Sequence, residues 1–171
     1  MKDESPLVIT LQLDQNASAF FNDLRKRFYP PSRNFLEAHL ALFHRLPAGE
    51  GSISEDLHRW CLKHGPFALQ FTGLKHLGKG VAYRAECPAL LAMHRQMQQQ
   101  WQAWLIPQDK QKLWPHVTIQ NKVAEEEARQ TLTQLQASFQ PFMACGIGFR
   151  VWLYKGGPWR WVSDHPFEGK A

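Results

Sequence analysis

Two histidines each open a short run of strand-forming residues in this chain, His39-Leu40-Ala41-Leu42 and His116-Val117-Thr118-Ile119. An imidazole titrates near ~6.5, so a pair can hold one ring neutral and one protonated at cellular pH, the requirement for a joint base and acid. Side chains alternate along a strand, so His116 and Thr118 face one way while Val117 and Ile119 face the layer behind. His39 shares its face with Ala41 in the same way. Two strands lying side by side would therefore turn both imidazoles into one cleft, with a hydroxyl beside His116 and only a methyl beside His39.

The elements that must carry these residues alternate between the two periodicities. Leu7 to Leu13 alternates as a strand, and Ala17 to Phe28 places Phe20, Phe21, Leu24 and Phe28 at helical spacing before Pro30-Pro31 stops it. His39 to Leu46 is the next strand, followed by a helix from Ser54 to Lys63 that Gly65-Pro66 ends. Phe67–Phe71 and Gly80–Glu86 make a hairpin turning around Leu77-Gly78-Lys79, and Pro88 opens a helix that reaches Leu105. His116 to Lys122 is a strand. Glu125-Glu126-Glu127 then opens a helix to Phe139, with its acidic residues well placed against the dipole, and strands Gly146–Tyr154 and Trp159–Val162 close the chain around Gly156-Gly157-Pro158. The fold class is α+β. Strand, helix and histidine strand recur in both halves, so residues 1–171 are expected to form one domain of two pseudo-symmetric lobes, antiparallel strands backed by helices around a central cleft.

Composition narrows the possibilities. In 171 residues, 44% hydrophobic and 12% aromatic, there is ample material for a core. Cys61, Cys87 and Cys145 are odd in number, far apart and in no CxxC arrangement, which suggests neither a disulfide framework nor a cysteine zinc site. His58 and His64 lie six residues apart on a helix, about 600° of rotation, and diverge too far to share a metal. The segment from Met1 to Pro6 carries charges of both signs and no apolar region, and no window has a membrane span, so a cytoplasmic protein without membrane partners is expected. A net charge of +5 suits a polyanionic partner.

At the two histidine runs the chain resembles the two-histidine phosphoesterase superfamily, defined by paired HxTx motifs in pseudo-symmetric lobes, and within it the 2′-5′ RNA ligase-like branch. His116-Val117-Thr118-Ile119 fits the motif completely, and its setting from Trp114 to Val123 is similar beyond it. The first motif, within Pro30 to His44, departs at Ala41, where the family has Thr or Ser. The likeness extends through Leu77 to Tyr83 and Gly156-Gly157-Pro158-Trp159. It implies a monomeric phosphodiesterase, needing no metal or other cofactor, that opens 2′,3′-cyclic phosphates of RNA ends or nucleotides, with reverse 2′-5′ ligation as a secondary activity. The chemistry of the residues agrees: displacement at phosphorus needs a base on the attacking oxygen and an acid on the leaving one, and a hydroxyl such as Thr118 can donate to a nonbridging oxygen.

The expected catalytic residues are thus His39, His116 and Thr118, with Ala41 on the substrate-facing side. Arg33, Arg45, Tyr83 and Lys122 are candidates to replace the missing hydroxyl. Arg45 and Lys122 each lie an even six residues from a motif histidine, which in a regular strand points them into the cleft. Phe43 shares the parity of His39 and is the best candidate to stack on a base, while His44, at odd parity, is expected to face away. Lys79, between two glycines, is either a phosphate-seeking loop residue or a solvated turn. Two other readings stand beside the enzyme: a non-catalytic module binding RNA or nucleotide phosphates, and a cyclic phosphodiesterase for a small metabolite. If the hydroxyl lost at Ala41 limits the rate, Ala41→Thr raises turnover about ten- to a hundredfold. An unchanged rate means that another group already fills the role.

Overall fold

A computed structural model of the protein describes residues 5–170. The charged residues Met1 to Glu4, read above as part of a segment without a leader, lie outside them. The elements in order are β1 (Leu7–Leu13), α1 (Gln15–Phe28), β2 (Leu40–Leu46), α2 (Gly51–Lys63), β3 (Phe67–His76) and β4 (Val81–Glu86), then α3 (Pro88–Gln100), β5 (His116–Gln120), α4 (Glu125–Ser138), β6 (Phe142–Tyr154) and β7 (Trp159–Pro166). The strands form one antiparallel sheet in the order β2-β1-β6-β3-β4-β5, with β7 also paired to β6. The motif strands are therefore its two ends. They share no ladder, yet the sheet curls until β2 and β5 come within 8 Å of each other at Cα.

Local chemistry accounts for the helices. Asp14 accepts the Ala17 amide at 3.0 Å to cap α1, and its other oxygen accepts the Cys145 amide at 2.7 Å, so one carboxylate fixes the helix start to β6. Three basic residues in the last turn of α1 and three acidic ones in the first turn of α4 suit the helix dipoles. α3 stops at Gln100, short of the expected Leu105, and a 3-10 turn covers Gln102–Trp104. Trp101, where it stops, is fully buried with its indole N–H on Asp56, and Ile106 must be extended before Pro107.

Each half lends its helix to the other. α1 follows β1 but packs on β5, where buried Arg25 donates from Nη1 to the Thr118 carbonyl at 3.0 Å. α3 follows β4 but packs on β2, where buried His94 donates from Nε2 to the Leu42 carbonyl at 2.9 Å and its ring stacks on Phe43 with centroids 4.6 Å apart. Both motif strands are thus gripped from behind by a side chain of the opposite half.

β2 is irregular, and this corrects one expectation. Ile9 pairs with Phe43 but Thr10 with Ala41, so Leu42 is an extra residue bulged out of the ladder, and a second shift lies between Leu7 and Ile9. A bulge reverses the alternation beyond it. Phe43, expected in the cleft, is instead completely buried between His94 and Trp101. Phe43→Ala should therefore cost about 3–5 kcal/mol in a denaturant titration, as a core truncation does. Unchanged stability with weakened nucleotide binding would contradict this placement.

Candidate acid–base site

The two motif histidines are held in the same way. His39 stands immediately before β2 and folds its ring back so that Nδ1 donates to the Glu37 carbonyl at 2.8 Å. His116 is the first residue of β5, and its Nδ1 donates to the Trp114 carbonyl at 2.7 Å. A carbonyl only accepts, so both rings carry the proton on Nδ1 when neutral and leave Nε2 as the basic nitrogen. Each ring also has a tryptophan against it. Trp114 stacks on His116 at 3.9 Å with 19° between planes, and Trp159, from the start of β7, lies 4.6 Å from His39.

Burial sets the proton affinities. Desolvation pushes His39 down to about 4, and the charges of Arg25, His116 and His44 act in the same direction against the opposing Glu37 hydrogen bond. His116 is also lowered, mainly by desolvation, with the Trp114 carbonyl opposing it and the charge of His44 adding to it. Both rings lie below their ordinary value and are neutral at pH 7.

A cavity of about 180 Å³ joins the two halves, with Ala41, His44, Asp109, Lys112, Trp114 and His116 among its walls. Ala41 is on this wall, whereas His39, expected to share its face, is not. His39 borders a smaller cavity of about 40 Å³ together with Thr10, Gln12, Arg150 and Trp152. The Arg150 charge there is already matched by Asp164, at 2.7 and 3.0 Å. Thr118, half-buried, keeps the face of His116 because β5 pairs in step from His116 to Thr118, its own bulge falling beyond them at Ile119, and its hydroxyl makes no hydrogen bond among the described residues.

Several expected neighbours are elsewhere. Tyr83 pairs with Val117, so it shares the core face of β5 and not the face of His116. It is buried against Phe20, Phe21 and Phe142 and lines a different cavity of about 650 Å³. Lys122 lies beyond the end of β5 with φ 63°, so strand parity does not reach it, and its side chain is exposed. Arg45 follows the bulge, donates its backbone amide to Asp109 and leaves its side chain in solvent. Arg33 is exposed on the 3-10 turn Pro31–Arg33 before the first motif. Among the described residues these three cationic side chains make no hydrogen bond or ion pair. Lys79 sits in a turn at the Gln120 end of β5, about 13 Å along the strand from His116. Gly80 permits that turn, because a Cβ there would be 1.9 Å from the Gln120 carbonyl.

Other residues take their places. Arg84 pairs with His116, and Lys75 pairs with Ala82, whose other neighbour is Thr118, so both cations stand on the His116 face. Lys75 also lies 5.6 Å from the Trp114 ring. The apolar run Val81, Tyr83, Ala85 alternates with Ala82, Arg84, Glu86, a pattern that assigns Tyr83 to the core and Arg84 outward. His44 is the other addition: the bulge at Leu42 turns it into the cleft it was expected to face away from.

Residues 13–157 match the family model described as the 2′-5′ RNA ligase superfamily. The chain belongs to that superfamily. Among curated proteins none matches. Solved structures share the fold of this superfamily member over nearly its whole length. TT0787 of Thermus thermophilus aligns with TM-score 0.66 and 16% identity over 97% of this chain and 100% of its own. A protein described as a phosphoesterase gives 0.62 and 12% over 96% and 99%. LigT of E. coli, crystallised with 3′-AMP, gives 0.59 and 12% over 96% and 99%. Membership supports a phosphoesterase- or ligase-like function, and in this superfamily member the two motif histidines have matching tautomers.

Nitrogen-15 spectra at pH 7 should find both rings protonated on Nδ1 and bare at Nε2, with His39 titrating at about pH 4. Titration near ~6.5 would contradict its burial. The sign for stability follows. Above ~6.5 His39 is neutral folded and unfolded and contributes nothing, whereas between there and about pH 4 only the unfolded chain takes the proton, so stability falls as the pH is lowered through that window.

Proposed function

We propose that the protein is a phosphodiesterase that opens 2′,3′-cyclic phosphates of RNA ends or nucleotides, with His39 as base and His116 as acid. The observation that carries this reading is the pair of bare Nε2 atoms, each fixed by a backbone carbonyl behind it and set on strands that meet only through the curl of the sheet. His39 Nε2 takes a proton from water as the water oxygen bonds to phosphorus. The bond from phosphorus to one ribose oxygen breaks, and that oxygen receives the proton that His116 Nε2 takes up from solvent when the anion binds, leaving a monoester and a free hydroxyl. The deeper depression of His39 makes it the better candidate to stay neutral, which assigns the base. Thr118 donates to a nonbridging oxygen, and Arg84 and Lys75 give the anion a cationic wall. The complexes of E. coli LigT with 3′-AMP, ATP and phosphate support a nucleotide phosphate as the class of ligand. With a 5′-hydroxyl in place of water, the same two proton transfers form its bond to phosphorus, break the bond to the 3′-oxygen and leave a 2′-5′ phosphodiester, which is the ligation the superfamily's description names.

Ala41 favours a second reading, a module that binds such phosphates without turning them over. The test is hydrolysis of 2′,3′-cyclic nucleotides and cyclic-phosphate-ended oligonucleotides in the presence of EDTA. Turnover should persist, His39→Ala and His116→Ala should each lose about 10²–10⁴-fold, and kcat/KM should be bell-shaped with its maximum on the acid side of ~6.5. Binding by the wild type without turnover would overturn the enzyme.

A further inference from the structure

The cleft contains a third imidazole that this scheme leaves unused. Asp109, its side chain only 1% exposed, accepts the backbone amides of His44 and Arg45 at 2.9 to 3.0 Å and His44 Nδ1 at 2.9 Å. The two amides belong to the unpaired edge of β2 and already satisfy the buried carboxylate, so the third bond serves the ring: it fixes the orientation and commits Nδ1 to donation. Nε2 then points away from Asp109, and the side chain is 40% exposed in the cavity that holds Ala41 and His116. No residue partners that nitrogen among the described residues. A proton on His44 is felt by both motif histidines, which places it within electrostatic reach of any anion bound between them.

We propose that His44, positioned by Asp109, binds the substrate phosphate and fills the place of the hydroxyl missing at Ala41. The position fits for a physical reason: the bulge at Leu42 brings residue 44 onto the face of residue 41, so the strand that loses the donor at one position gains another beside it. With Nδ1–H on Asp109, Nε2 is the ring atom left to face the anion and share a proton with a phosphate oxygen. The substrate class rests on the function proposed above; the affinity of this residue for a phosphate does not.

The test is calorimetric titration of adenosine 2′-monophosphate into the wild type, His44→Ala and His44→Asn, each with and without Ala41→Thr, alongside thermal unfolding. Asparagine keeps an N–H for Asp109 but has nothing at Nε2. Both His44 variants should keep a cooperative thermal transition and weaken binding about ten- to a hundredfold, and Ala41→Thr should recover most of that loss while changing the wild type less than about threefold. Wild-type affinity in either variant, a loss in His44→Ala that His44→Asn reverses, an equal gain from Ala41→Thr with and without His44, or a wild type that does not bind the nucleotide would each overturn the proposal. Parallel turnover assays separate the two readings. Loss of binding in the His44 variants of a protein without turnover sinks the enzyme and keeps His44, whereas normal turnover with unchanged binding does the reverse.

Discussion

The whole site depends on the curl of one sheet. β2 and β5 are its opposite ends, exchange no backbone hydrogen bonds, and still meet closely enough to face one cavity. Sheet twist supplies part of that curvature, and the exchanged helices hold the rest. Arg25 on α1 grips the Thr118 carbonyl and His94 on α3 grips the Leu42 carbonyl, so each motif strand is tied to an element from the other half of the chain. A site assembled from edges has free backbone groups to manage. Asp109 takes two amides of β2, and the carbonyls at Glu37 and Trp114 are used to orient the histidines.

Those carbonyl bonds convert a repeated sequence into a repeated chemistry. Each ring is locked with Nδ1 toward the chain, which leaves Nε2 bare, and burial lowers the proton affinity of both. In the proposed reaction the two rings share one anion and take up one proton with it. In that proposal the larger depression of His39 assigns it the base and leaves His116 the acid. Trp114 and Trp159 add a flat apolar wall beside each ring.

The sequence made the architecture legible because its periodicities were clean. The strand-helix-strand order, the turn at Gly156-Gly157-Pro158 and the start of α4 at its acidic residues all match the structure. Within the site, parity served wherever the strand was regular. It held for His116 and Thr118 on β5, and it failed for Phe43, His44 and Arg45 on β2, beyond the bulge. The adjacent large apolar residues Leu42 and Phe43 are the trace of that bulge in the sequence, since no regular half-exposed strand buries both. Arg84 was legible in the alternation of β4, whereas Lys75 needed the register of two hairpins and Asp109 a contact across 65 positions. Those depend on tertiary packing, which spacing does not encode.

The central claim is that Nε2 atoms from the two ends of the sheet face one phosphorus. A crystal structure with adenosine 2′-monophosphate bound tests it most directly. The account predicts a phosphate lying between His39 Nε2 and His116 Nε2, within about 2.7–3.2 Å of each, with the Thr118 hydroxyl on a third oxygen. A phosphate held by only one of these rings, or seated in the large cavity beside Tyr83, would contradict it.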